Sequence, residues 1–208
     1  MSISYANNAH LTKGVTKPYF RIRLNRQVKY DLLVWRQFLI SYNYKTFMLE
    51  FRWLSSPQLH LFTDAASTIG FGAVFGNRWF YGLWPSDCVG LNITLLELYP
   101  ICLALYIWGP FLTNNCITLH SDNQAVVAIL NSCTSKESNI MILVRKIVLN
   151  CMTNNILICS KHIPGTGNII PDLLSRNQVL KAKQMAPWLD PQPTVVPPQW
   201  CLSKWLNA

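Results

Sequence analysis

Residues 94–108, TLLELYPICLALYIW, are apolar on nearly every side of a helix. Such a helix has no face to offer water and must be covered all round. The chain therefore needs a layer to bury it, and half of its residues are hydrophobic, enough for a packed core rather than disorder. The longer run LLELYPICLALYIWGPFL is interrupted by Glu97, Pro100 and Pro110, which argues against a membrane span and for a buried helix. No membrane partner is expected. Pro100 removes the hydrogen bond to the carbonyl of Leu96, so a kink is expected beside Glu97.

Strand-like runs stand on both sides of this helix. LHLFTDAA (59–66) reads as a strand, and IGFGAVFG and RWFYGLW read as two more, joined by a turn at Gly76-Asn77. Gly70, Gly72 and Gly76 suit a strand that another backbone approaches closely. CITLHSD (116–122) reads as a strand, NQAVVAILN (123–131) and NIMILVRKIVLNCMTNN (139–155) as helices, ILICSKHI (156–163) as a strand and NIIPDLLSRN as a last helix. The order β-β-β-α-β-α-α-β-α predicts an α/β fold, an antiparallel meander followed by parallel crossovers. Before it, VKYDLLVWRQFLISYN (28–43) has the spacing of an amphipathic helix, with Leu32, Leu33, Trp35, Phe38 and Leu39 as its apolar positions. The chain thus divides into a basic segment 1–58, a core domain 59–180 and a tail 181–208. Five prolines between Pro187 and Pro198, with Trp188 and Trp200, make the tail an expected linker.

Charge is unevenly spread. Residues 1–58 carry nine Lys and Arg against two acids, the rest nine against seven. A basic flank beside a nearly neutral core points to an anionic partner, nucleic acid first, with Arg21, Arg23, Arg26 and Lys29 as candidate phosphate contacts; a solvated charge run is the competing use. Seven scattered cysteines with no C-x-x-C suggest core residues in a reducing intracellular compartment, cytoplasm or nucleus, with no disulfide framework and no zinc site.

Four of the few core carboxylates stand in apolar settings. Asp64 lies within a strand of Leu, Phe and Ala, Glu97 on the buried helix, Asp122 at a strand-to-helix junction and Asp172 at the start of the last helix. A buried carboxylate needs a donor, a cation or a metal. Each has an ordinary alternative. Asp122 suits an N-cap, Asp172 complements a helix dipole, Glu97 fits a capping box with Thr94, and Asp64 can bond loop amides. Jointly they suit a pair of Mg²⁺ ions, with Mn²⁺ as a substitute, because hard cations take carboxylate oxygens.

The motifs FTDAA, LLELYP, HSDNQAV and KHIPGTGNIIPDLLSR, in the order D…E…D…D, resemble ribonuclease H. The last motif looks like the H-x-P-G-x-x-N-x-x-A-D-x-L-S-R segment of retroelement ribonucleases H, with Pro171 standing where alanine is usual. The wider chain, roughly residues 15–180, is similar to the reverse transcriptases of DIRS- and Ngaro-type retrotransposons. KPYFRIRLNRQVKYDLLVWRQFL resembles their connection after the polymerase thumb. There is no Asp-Asp pair, so no polymerase active site is present in the chain.

The resemblance implies a ribonuclease H-like fold with a five-stranded mixed sheet and an N-terminal helical connection segment. It implies an endonuclease that hydrolyses the RNA strand of RNA–DNA hybrids, alongside the polymerase part of a longer reverse transcriptase. Asp64, Glu97, Asp122 and Asp172 would hold the metal ions, and His162, ten positions before Asp172, would move a proton or assist product departure. Asn123, Gln124, Ser67 and Asn168 match positions near the bound hybrid, with helix capping as the alternative for Asn123 and plain solvent contact for Gln124. The rival readings are a catalytically silent or domesticated nucleic-acid-binding module, a transposase-type nuclease, and a non-catalytic connection domain. Asp172 in place of a glutamate disfavours the second, and the presence of all four acids disfavours the third.

Overall fold

The computed structural model describes residues 24–40, 42 and 53–207. Helix α1, Arg26–Ile40, begins two residues before the expected start. Asn25 explains this, since its Oδ1 accepts the Val28 amide at 2.9 Å and closes the first turn. Strand β1 (Trp53–Ser55) and the single-turn helix α2 (Ser56–Leu59) fall where the sequence suggests only punctuation. Strands β2 (Leu61–Ala65), β3 (Gly70–Phe75) and β4 (Arg78–Leu83) then form the expected antiparallel meander, with Asp64 opposite Gly72. Gly76, at φ +61°, makes the tight connection between β3 and β4.

Helix α3, Ile93–Trp108, is buried along nearly its whole length and runs through Pro100 without an assigned break. It starts at Asn92, whose side chain accepts the Thr94 amide, so the capping box of Thr94 with Glu97 does not form. The segment Ile93–Leu112 is long and apolar enough to cross a membrane, yet most of it lies inside the protein, as its all-round apolarity predicts. Strand β5 (Cys116–Ser121), helices α4 (Gln124–Ser132) and α5 (Ser138–Asn154), strand β6 (Leu157–His162) and helix α6 (Ile169–Ser175) follow within a residue or two of the expected bounds.

The protein is α/β, and among the described residues the strands form two three-stranded sheets. β1, β5 and β6 are parallel, in the order β1-β5-β6, and β2-β3-β4 is antiparallel. A single five-stranded ladder was expected and is not what the hydrogen bonds draw. β2 runs close to β5 without pairing with it. The reason is local. β1 takes the first half of β5, pairing Trp53–Ser55 with Cys116–Thr118. Pro57 lacks the N–H that a ladder needs and suits a first helical turn. Gln58 Oε1 accepts the Ser55 amide at 2.7 Å, and His60 turns left-handed at φ +53°, so the chain leaves the ladder before β2 begins.

Alternation along β3 sends its residues to opposite faces. Phe71 and Ala73 join the main core with α3 and α5, while Val74 meets Leu173 and Leu174 of α6 in a second, smaller core. Gly72 lies under α6: a Cβ there would press into Leu174 and stand 3.0 Å from the Pro171 carbonyl oxygen. The glycine is what lets the helix sit this low on the sheet.

The tail is not a linker. After α6 come helix α7 (Val179–Met185) and helix α8 (Leu202–Leu206). Between them the Asp190 amide donates to Asn77 O, Trp79 Nε1 donates to Asp190 O at 2.8 Å, and the Thr194 amide donates to Trp79 O at 2.6 Å. Leu202 and Trp205 are buried in the main core, with Trp205 against Tyr99 and Tyr106. Prolines forbid a ladder or a long helix, but they do not prevent packing, and the tail has the apolar side chains for it.

Helix α1 docks on α5. Arg145 anchors it, with Nε 2.8 Å from Asp31 Oδ1 and a second nitrogen donating to Gln27 Oε1 at 2.8 Å. Of its apolar residues only Phe38 is buried. Leu32, Leu33, Trp35 and Leu39 are exposed, Leu39 by 63%. All seven cysteines are free.

Candidate active site

The four singled-out acids come from four separate elements. Asp64 is the fourth residue of β2, Glu97 lies one turn into α3, Asp122 follows the last residue of β5, and Asp172 is in the first turn of α6. The fold brings the other three within electrostatic reach of Asp64. Burial first, then the charges of Asp172 and Asp122, push the Asp64 carboxyl up to about 6 against the opposing hydrogen bond from Ser175. Burial first, then Asp64 and Asp122, push Glu97 up to about 9. Asp64 is thus the hub: it feels Asp172 and Asp122 and is felt by Glu97.

Their local partners differ. Asp64, only 9% exposed, accepts the Ser175 hydroxyl on Oδ2 at 2.6 Å. Glu97 has no hydrogen-bond donor and no cation beside it among the described residues. Asp172 Oδ1 pairs with Arg176 Nε at 2.7 Å, one turn along the helix. Asp122 is exposed, and it is not the cap of α4. Asn123 takes that role, accepting the Ala125 and Val126 amides on Oδ1.

These charges repel, and no three His, Cys, Asp or Glu side chains among the described residues converge tightly enough to chelate one ion as they stand. The two observations concern different ranges. Coulombic coupling reaches further than coordination, and a pair of ions draws in carboxylates that otherwise spread apart. The donor chemistry fits a hard divalent cation: four carboxylates, two held towards their neutral form by burial and one another, and a single arginine at the edge. Asp64, Glu97, Asp122 and Asp172 are the residues that would hold it.

His162 ends β6 directly beside β5, in register with Ser121. Its Nε2 lies 3.1 Å from the Asp122 carbonyl oxygen. The following loop folds over Asp122, and a Cβ at Gly165 would stand 2.9 Å from Asp122 Oδ2. The glycine in H-I-P-G eases this approach; a Cβ there would meet the end of the exposed Asp122 side chain, which can turn aside.

The expected nucleic-acid contacts divide. Ser67 and Gln124 are exposed. Asn123 is engaged as a helix cap through Oδ1. Asn168 is not a surface contact. It is 9% exposed, and its Nδ2 donates to Thr63 O at 2.8 Å, tying the loop to β2 beside Asp64. Its Oδ1 is buried without a hydrogen-bond partner. Arg26 and Lys29 are exposed on α1, where Arg26 Nε donates to the Tyr30 hydroxyl at 3.0 Å, away from the elements that carry the acids. Arg21 and Arg23 lie outside the described residues. Ser175, wholly buried and bonded to Asp64, went unmarked in the sequence.

No protein-family model matches the chain, and no curated protein matches it at a significant level.

Proposed function

We propose that the chain is a metal-dependent nuclease of the ribonuclease H type, hydrolysing the RNA strand of RNA–DNA hybrids and derived from a retrotransposon reverse transcriptase of the DIRS or Ngaro kind. The observation that supports this reading best is that acids from α3, the end of β5 and the start of α6 all lie within electrostatic reach of Asp64 on β2. The order of elements from β2 to α6 supports it, as does the position of β2 close to β5. On this reading β4-β3-β2 and β5-β6 make up one five-stranded arrangement, parted by the turn at α2, with β1 as a sixth strand added on β5.

Two Mg²⁺ ions, or Mn²⁺ in their place, would supply Lewis-acid stabilisation of the attacking and leaving oxygens of the phosphodiester. The chain's own residues do the rest. Asp64, buried, and Glu97, partly buried, are kept towards the neutral form and would ionise as cations bind, which supplies the negative charge that the ions need. His162, exposed beside Asp122, would carry a proton between the site and water. Exposed Ser67, in the loop between β2 and β3, and exposed Gln124, the first residue of α4, would read the 2′-hydroxyls that tell RNA from DNA. The basic flank adds salt-sensitive phosphate contacts.

A silent nucleic-acid-binding module is the second reading, and the ion pair between Asp172 and Arg176 favours it by occupying one of the four acids. Asp122→Asn separates the two. An amide is a poorer metal ligand and relieves repulsion with phosphate, so the variant should bind hybrid as well as the parent. It should cleave at least about 100-fold more slowly, beyond the roughly 10–100-fold loss typical of an outer-shell metal partner. A parent protein that binds hybrid and leaves it intact in Mg²⁺ and in Mn²⁺ establishes the silent module instead.

A further inference from the structure

We infer that Ser175 is the positioning residue of the acidic site: its buried hydroxyl holds the Asp64 carboxylate by Oδ2 and leaves Oδ1 as the oxygen free for a cation. The inference rests on the nuclease reading for the identity of what binds, and on geometry alone for the orientation of Asp64.

Ser175 Oγ stands 2.6 Å from Asp64 Oδ2 and 2.9 Å from the Asp172 carbonyl oxygen. A hydroxyl has one proton and serves one acceptor at a time. A serine late in a helix ordinarily bonds back to the carbonyl three or four residues earlier, and the Asp172 carbonyl is that ordinary acceptor. The carboxylate is the nearer of the two, and bonds to a charged acceptor are shorter and stronger than neutral ones. The proton therefore goes to Asp64. Oδ1 takes no hydrogen bond from any described residue, so the carboxylate is fixed by one oxygen and open at the other.

The surroundings leave Ser175 little freedom to do otherwise. It is wholly buried, and its amide lies 3.1 Å from where a Cβ on Gly72 would be, on the strand paired with Asp64. At the other end of α6, Asn168 ties the helix start to Thr63, the neighbour of Asp64. Two polar side chains, seven residues apart, thus clamp α6 to two adjacent residues of β2, Thr63 and Asp64. Asn168 grips backbone and Ser175 grips the functional oxygen. α6 also carries Asp172, so the clamp sets the spacing between two of the four acids.

The test uses the full chain with Ser175→Ala and the near-isosteric Ser175→Cys, whose thiol is a weaker donor. Crystal structures read the orientation directly. In Ser175→Ala the Asp64 carboxylate should rotate or occupy more than one orientation while α6 stays in place, with Ser175→Cys in between. An unmoved, singly oriented carboxylate in Ser175→Ala overturns the inference. Calorimetric titration with Mn²⁺ alone reads the consequence. Affinity should fall roughly tenfold or more in Ser175→Ala, the usual effect of losing an outer-shell partner, and less in Ser175→Cys. Where the parent binds Mn²⁺, equal affinity in Ser175→Ala also overturns it. A parent that binds no Mn²⁺ at all, with the carboxylate displaced in the variant as described, overturns the nuclease reading and leaves the orienting role of Ser175 standing.

Discussion

At the residue scale, Glu97 and Asp64 are the informative groups, because both are carboxyls kept towards the neutral form. In an unfolded chain they ionise near 4.5 and 3.8; in the fold they hold their protons to about 9 and about 6. A raised folded value means that the native state binds the proton more tightly, so this stabilisation is complete at low pH and is lost as pH rises. The window for Asp64 runs from about pH 4 to 6 and for Glu97 from about pH 4.5 to 9. Metal-free protein should therefore melt lower at pH 8 than at pH 5, other groups being equal. A cation favours the ionised forms, so the gain in melting temperature on adding Mg²⁺ should grow with pH. Glu97→Gln should flatten much of the metal-free slope and melt a few degrees above the parent at pH 8, since about 1 kcal/mol moves a domain of this size by about 2–4 °C. Scanning calorimetry from pH 5 to pH 9 with and without Mg²⁺ measures all three. A Mg²⁺ effect of constant size across that range speaks against cation binding by these carboxyls. These acids were legible in the sequence because lone carboxylates among Leu and Phe are conspicuous. Ser175 was not, and Asn168 was marked only as a nucleic-acid contact. A helical serine has an ordinary back-bonding use, and nothing in a one-dimensional pattern separates a buried asparagine from a surface one.

At the scale of elements, the seating of α6 on the meander decides the site. Asp172 rides on this helix and Asp64 lies on the strand beneath, opposite Gly72. Gly72→Ala would drive a methyl into Leu174 and against the Pro171 carbonyl, and a short helix clamped at both ends cannot shift without breaking its bonds to Thr63 and Asp64. The expected cost is about 1–3 kcal/mol, the usual range for overpacking, with loss of Mn²⁺ affinity in the fraction that remains folded. Urea unfolding with an unchanged slope gives the first, titration the second. Full stability in this variant would show that α6 can rise off the sheet. The glycine was readable as a point of close approach, and the helices were readable from their periodicity. The split between the two sheets was not, because it depends on three residues of β1 and on a turn at Pro57 that a strand-like pattern does not announce. The packed tail was misjudged for a related reason: proline content reports which regular elements are forbidden, whereas packing is decided by residues such as Leu202 and Trp205.

At the scale of the whole molecule, the acids are held by everything else. α3 brings Glu97 because its apolar circumference must be buried, the parallel pair β5-β6 sets His162 beside Asp122, and the tail closes the main core through Trp205. Four elements far apart in sequence thus present carboxylates to one another, at an electrostatic disadvantage that a bound cation removes. The most direct measurement is anomalous diffraction from crystals of the full chain grown with Mn²⁺. Two peaks are expected about 3.5–4 Å apart, reached between them by Asp64, Glu97, Asp122 and Asp172, with Asp172 drawn off Arg176. Peaks elsewhere on the surface, or none while the four carboxylates keep apart, would contradict it.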